Sequence, residues 1–130
     1  MESLTLDEPL YEPLQGAQIR VVTLESAPNA PDIRCKLHIV ELSETLEFHA
    51  LSYVWGAPKE KKKIYVDSRA FEATANLFSF LDMAERGIHR MYWWIDAICI
   101  NQADTDEKNT QVPRMDAIYS SASHVWVWLG

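Results

Sequence analysis

Residues Trp93–Gly130 read WWIDAICINQADTDEKNTQVPRMDAIYSSASHVWVWLG, and this stretch decides the fold. The apolar run from Met91 to Ile100 predicts a strand buried on both faces, as strands of parallel sheets are. The chain turns polar at Asn101-Gln102 and crosses the acids Asp104, Asp106 and Glu107. A helical pattern then runs from Asp104 to about Ala122, with Val112, Met115, Ile118 or Tyr119, and Ala122 as its inner stripe. A second apolar run, from His124 to Leu129, predicts the next strand. Strand, helix, strand in this order suggests a parallel crossover. Ligands of open α/β sheets sit at strand carboxyl ends and helix N-termini. Pro113 would cost the helix interior ~3 kcal/mol or more. The spacing therefore predicts a kink there, or a main helix that starts with Pro113 at its first position.

Outward from this stretch the chain is β-rich. Ile19–Leu24 (IRVVTL) predicts a strand, and Cys35–Leu42 alternates apolar and polar residues as a half-buried strand does. The two together predict a hairpin or meander. Phe48–Trp55 predicts a further strand, stopped by Gly56-Ala57-Pro58. Lys63–Val66 predicts a short strand, Asp67-Ser68 a turn, and Ala70–Ala73 a return strand. Asn76 is placed to cap a helix with apolar positions Leu77, Phe80, Leu81 and Ala84, ended by Gly87. Residues 1–16, punctuated by Pro9, Pro13 and Gly16, are expected to be an N-terminal arm before a domain at 17–130. The fold class expected is α/β, a single domain with a β-rich N-terminal half followed by a mainly parallel sheet flanked by helices.

Bulk properties narrow the function classes. A chain of 130 residues, 48% apolar and with five Trp, buries a core without staples and is not disordered. Its net charge of -7 argues against nucleic acid or an anionic membrane as the main partner. The basic run Lys59–Lys63 reads as a solvated loop. The two cysteines, Cys35 and Cys99, form no CxxC pair, and the four His show no metal-ligand spacing. No metal and no bound cofactor are expected. No apolar stretch reaches the ~18 residues a membrane span needs, so a soluble, cytoplasmic protein is expected. Glycine-rich phosphate loops, a GxSxG elbow and nucleophile–base orders are missing, which removes dehydrogenase, kinase and ordinary hydrolase readings.

At ALSYVWG (Ala50–Gly56) and WIDAICINQ (Trp94–Gln102) the chain resembles the fungal heterokaryon-incompatibility (HET) domain. The resemblance continues through the DxxEKxxQVxxMxxIYxxAxxVxVWLG pattern from Asp104 to Gly130, and upstream through YEPL, IRVVTL and CKL. It covers about residues 11–130, and several motifs in the right order make it specific. It implies fungal allorecognition and innate immunity, in which fusion of incompatible cells triggers programmed cell death. Self-association, or association with other HET-domain proteins, is the implied partner mode. The family is in turn distantly similar to TIR domains, which implies a TIR-like or flavodoxin-like sheet and hydrolysis of NAD as substrate, with Glu107 at the position of the catalytic glutamate. The rival is a non-catalytic homotypic interaction domain that signals by assembly. The stop at Gly130 adds a decoy that binds longer family members.

A site that cleaves an N-glycosidic bond needs a carboxylate near an oxocarbenium-like centre and an aromatic face for the base. The candidate catalytic residues are Glu107 and Asp96. The candidate substrate-binding residues are Tyr53, Trp55, Gly56, Asn101 and Gln102. Each has a structural alternative. Asp104-x-x-Glu107 has capping-box spacing, so Glu107 could serve the helix start alone. Asp96 could be an anchor bonded to a backbone N–H or to an Arg such as Arg20, Arg90 or Arg114. Asn101 and Gln102 could fix the loop through backbone bonds. Tyr53 and Trp55 share a strand face and could be core, and Gly56 could simply end the strand. Trp126 and Trp128 read either as core or as an apolar surface for a partner.

Overall fold

The computed structural model describes residues 10–25, 32–55, 60–84 and 91–128. The elements expected at Gly56-Ala57-Pro58 and Gly87 lie outside them. In chain order the elements are β1 (Gln18–Leu24), β2 (Arg34–Glu41), β3 (His49–Tyr53), β4 (Lys61–Val66), β5 (Arg69–Thr74), α1 (Ala75–Ala84), β6 (Trp93–Trp94), α2 (Asp96–Cys99), α3 (Thr105–Gln111), a 3₁₀ turn (Val112–Arg114), α4 (Met115–Ser121) and β7 (His124–Trp128). The strands form one sheet in the order β5-β4-β2-β1-β6-β3-β7.

The sheet is mixed, where a mainly parallel one was expected. β1 pairs antiparallel with β2 through seven residues, from Gln18↔Glu41 to Leu24↔Cys35, which is the predicted hairpin. β4 and β5 form a second antiparallel hairpin. Parallel pairing holds β6 and β7 on either side of β3 and also joins β2 to β4. Crossover connections therefore join the strands of the C-terminal block and also β2 to β4, across the intervening β3. Antiparallel neighbours need only a short turn, which the N-terminal half provides.

The largest departure from expectation is at residues 91–100. Only Trp93 and Trp94 form a strand. The chain then coils into the single turn α2, where Cys99 N–H donates to the Ile95 carbonyl at 2.7 Å. An apolar run buried in either conformation has no periodicity to tell strand from helix. What selects the turn is tertiary: its outgoing carbonyls at Ile98 and Cys99 accept bonds from Tyr11 and Arg20.

Trp93 and Trp94 point to opposite faces, as strand alternation requires. Trp93 meets Phe80 of α1 and Trp126 of β7 edge-on, at ring separations of 5.1 and 5.6 Å. Trp94 meets Tyr119 of α4 at 5.4 Å. The helices thus cover the two faces of the sheet around one tryptophan pair. In α1 the predicted positions Leu77, Phe80, Leu81 and Ala84 are all buried. Its cap is Thr74, whose hydroxyl accepts from Leu77 N–H at 3.3 Å. Asn76, expected in that role, instead donates to the Val54 carbonyl at 2.8 Å. The helical stretch after Asp104 breaks at Pro113 into α3, the 3₁₀ turn and α4, as its missing N–H demands. Ile118 is buried, while Val112 is half exposed, because the break rotates it off the inner stripe.

The β4–β5 hairpin turns on Asp67 and Ser68, at φ 52° and 66°. Both central residues lie at positive φ, as a type I′ turn requires. Asp67 is held there by its carboxylate, which accepts from Leu37 N–H at 2.9 Å. Among the described residues no side-chain hydrogen bond offsets the strain at Ser68. Left-handed backbone costs a residue with a Cβ about 1–2 kcal/mol, so Ser68→Gly is expected to stabilise the protein by roughly 1 kcal/mol. Urea unfolding of the two proteins checks this, and an unchanged midpoint would count against the turn being strained.

Candidate functional site

The chemistry-bearing residues assemble into two clusters around α2. The first is built on Arg20, the one charged residue in the middle of β1. Its side chain is 1% exposed and that of Glu107 is 10% exposed. The guanidinium binds the carboxylate through both terminal nitrogens, Nη1 to Oε2 at 2.6 Å and Nη2 to Oε1 at 2.8 Å. Nη1 also donates to the Cys99 carbonyl at 3.1 Å, and Nη2 donates to the Glu12 carbonyl at 2.6 Å. Tyr11 lies under the guanidinium at 4.7 Å, and its hydroxyl donates to the Ile98 carbonyl at 2.8 Å. Burial drives the Tyr11 hydroxyl well above its ordinary ionisation range, with the Cys99 thiol adding to it. The N-terminal stretch is therefore fastened at Tyr11 and Glu12.

Glu107 also accepts from Asn101 N–H, at 2.7 Å to Oε2. Asp104 caps α3 by accepting from Glu107 N–H at 3.1 Å. The capping box suggested by the spacing is thus half made. The reciprocal arm of Glu107 goes to Asn101 N–H and Arg20, and Asp104 N–H donates to the Asn101 carbonyl. Asn101 closes a local turn by accepting from Ala103 N–H at 3.2 Å. Beside Glu107 lies a depression of about 230 Å³ that also carries Asp104 and Asp106. Like charges in that depression repel phosphate.

The second cluster lies beyond the carboxyl end of β3. Asp96, at the first position of α2, faces Trp55, whose indole N–H donates to its carboxylate at 3.4 Å. Burial raises the pKa of Asp96, and the bonds from Trp55 and the backbone only partly offset it. Tyr53 stands close enough for the Asp96 charge to push its ionisation up, on top of burial. Its hydroxyl is buried without a well-formed hydrogen bond. Tyr119 is likewise pushed up to about 12, by burial and then by Asp96. Trp55 is 41% exposed, so this cluster reaches solvent. Gln102 supports it from behind, donating from its amide to the Asp96 backbone carbonyl at 2.9 Å.

The structure thus brings Asp96, Tyr53, Trp55 and Gln102 together and places Glu107 and Asn101 in a separate lock. Gly56 lies outside the described residues. Arg20, an expected partner for Asp96, instead takes Glu107, 87 residues away in sequence. The signal for it was present, since an Arg inside IRVVTL is a buried charge that must find a carboxylate. Trp126 and Trp128 face the core, against Trp93 and Phe80. The exposed apolar groups of β7 are Val125 and Val127, 46% and 67% accessible. Among the described residues no His, Cys, Asp or Glu group of three or more is arranged to hold a metal ion. Among them, too, no helix is long and apolar enough to cross a membrane.

These features define a small α/β domain with one buried ion-pair lock and one solvent-reaching carboxyl–aromatic cluster. A family model described as heterokaryon incompatibility protein (HET) matches residues 48–130. The chain belongs to that family. It is also similar to heterokaryon incompatibility protein 6, OR allele, of Neurospora crassa, at 36% identity over 144 aligned residues. That alignment covers 99% of this chain and 20% of the relative, so the chain spans about a fifth of the relative's length. No solved structure matches it.

Breaking a buried ion pair from one side leaves an uncompensated charge and costs about 3–5 kcal/mol. Glu107→Gln is expected to lower stability by roughly that amount in denaturant unfolding. The double change Arg20→Met with Glu107→Leu is expected to recover most of the loss. A single variant with native stability would show that the lock carries little. For Asp96 the sign is opposite. Its folded pKa is raised, so the charged form destabilises the fold above that pKa, and the cost vanishes below about 3.9. Asp96→Asn is expected to raise the melting temperature at pH 7, with the gain shrinking on acidification.

Proposed function

We propose that this chain serves in heterokaryon incompatibility as a death-signalling module that self-associates and hydrolyses NAD. The match across residues 48–130 supports the incompatibility setting. For the chemistry, the observation that carries our assignment is the difference between the two carboxylates. Glu107 holds Arg20 through both oxygens and Asn101 N–H through one. Asp96 accepts one side-chain bond, long at 3.4 Å, beside an exposed indole. We therefore assign Asp96 as the reacting carboxylate and Glu107 as the residue that positions the turn before it.

Cleavage of the nicotinamide–ribose bond lets nicotinamide leave with the bonding electrons as positive charge builds on the ribose. Water then attacks the anomeric carbon, and a base takes its proton. Asp96 suits both tasks, because its carboxylate stabilises the developing cation and its raised pKa makes it a stronger base. The Trp55 face, 41% exposed, is available to stack on the nicotinamide.

A second reading, signalling by assembly without catalysis, draws on Val125 and Val127, which put apolar surface on β7 at the margin of the described sheet. NAD consumption separates the two. Asp96→Asn is expected to abolish nicotinamide release at least a hundredfold, the usual scale for loss of an acid–base group. The charge-free Arg20→Met, Glu107→Leu protein is expected to lose less than that, since it gives up only the bond that positions Asn101. If the double variant, folded and abundant, is as dead as Asp96→Asn, the reacting role returns to Glu107. If wild-type protein releases no nicotinamide yet oligomerises, and Val127→Lys abolishes signalling, assembly is the function.

A further inference from the structure

The opposite end of the parallel strands carries a cluster that neither the HET resemblance nor the proposed chemistry uses. His49 opens β3 and His124 opens β7, in direct register. Their rings stack at 4.9 Å with planes 19° apart. Two residues further along the same face of β7, the Trp126 indole N–H donates to His49 Nδ1 at 2.7 Å. Trp126 in turn packs edge-on against Trp93. A cavity of about 350 Å³ is lined by Glu47, His49, Met91, Tyr92, Ser123 and His124.

An indole nitrogen donates and never accepts. His49 Nδ1 must therefore carry a lone pair, which leaves its proton on Nε2 and its ring neutral. Adding a proton at Nδ1 would set two N–H donors against each other at hydrogen-bond distance, and the bond could not survive. The new imidazolium would also face His124, whose own protonation adds a like charge. We propose that the His49–Trp126 bond is an acid-sensitive latch that holds β7 in the sheet and loosens it when His49 takes up a proton.

The groups facing His49 come from every side. His124 approaches from β7, Tyr92 from the segment before β6, and Glu47 from the segment before β3. Glu47 favours the charged ring, but it is exposed and screened. Burial, and then His124, pull the other way and hold His49 below its ordinary value of 6.5. The folded state thus favours the neutral ring. The latch is complete above about 6.5 and weakens as pH falls from there toward the lowered folded value. Among the described residues β3 is the only strand paired with β7, so a loosened latch acts on one strand pairing.

Native-state hydrogen exchange of the β7 amides tests the latch between pH 6.5 and 5, corrected for intrinsic exchange. Wild-type protection is expected to fall by up to about tenfold per pH unit, the limit for uptake of one proton. The Trp126 indole N–H resonance should shift along with the His49 ring titration. His49→Asn keeps an acceptor and cannot titrate, so its β7 protection should be flat across this range. In Trp126→Phe the donor is gone, and His49 should titrate closer to 6.5, which tests the same bond if the Asn variant does not fold. A wild-type β7 that keeps its protection, an indole signal that ignores His49, or an equal fall in His49→Asn each overturns the latch.

Discussion

Everything near the candidate site depends on one electrostatic constraint, a guanidinium buried in the middle of the sheet. Arg20 sits in β1 with neighbours on both sides, where an unpaired charge is intolerable. Glu107 answers it with two bonds, and the carbonyls of Cys99 and Glu12 take remaining donors. One side chain thereby ties together the N-terminal stretch, the first strand, the turn α2 and the start of α3. Removing water from so many partners at once makes each bond stronger and each defect more costly.

The lock also decides which carboxylate is left without a cation. By fastening Glu107 and the Asn101 N–H, it closes one end of the polar segment and leaves Asp96 facing outward from the first turn of α2. Gln102 braces that turn through the Asp96 carbonyl. The outcome is two carboxylates in opposite environments. One is neutralised by a cation. The other is pushed toward its protonated form by burial, which the indole's hydrogen bond only partly offsets. Separation of acid and base roles in active sites rests on the same kind of contrast.

On the opposite side of the sheet, aromatic packing replaces charge as the organising force. Trp93 contacts His49, Phe80 and Trp126, and Phe80 also meets Trp128. The indole N–H groups of Trp93 and Trp128 are buried without partners, whereas Trp126 finds His49. The satisfied indole is thus the polar point of an otherwise apolar seam, and that is why the protonation state of one imidazole matters to β7.

Local patterns in the sequence determined the elements whose partners lie nearby. The β1–β2 hairpin, the turn between β4 and β5, the buried stripe of α1 and the break at Pro113 follow from side-chain period and backbone sterics, which act over a few residues. The HET motifs likewise identified the family. The tertiary structure alone decided the rest. It bent Ile95–Ile100 into a turn, because distant donors on Tyr11 and Arg20 needed its carbonyls. It divided Asp96 from Glu107, because the ion pair joins residues 87 apart. It also set the sheet order, since β6 reaches β1 and β3 through a register of one or two residues. Burial makes an apolar run indifferent between strand and helix, and long-range hydrogen bonds and charge pairing, which leave no period in the chain, settle the choice.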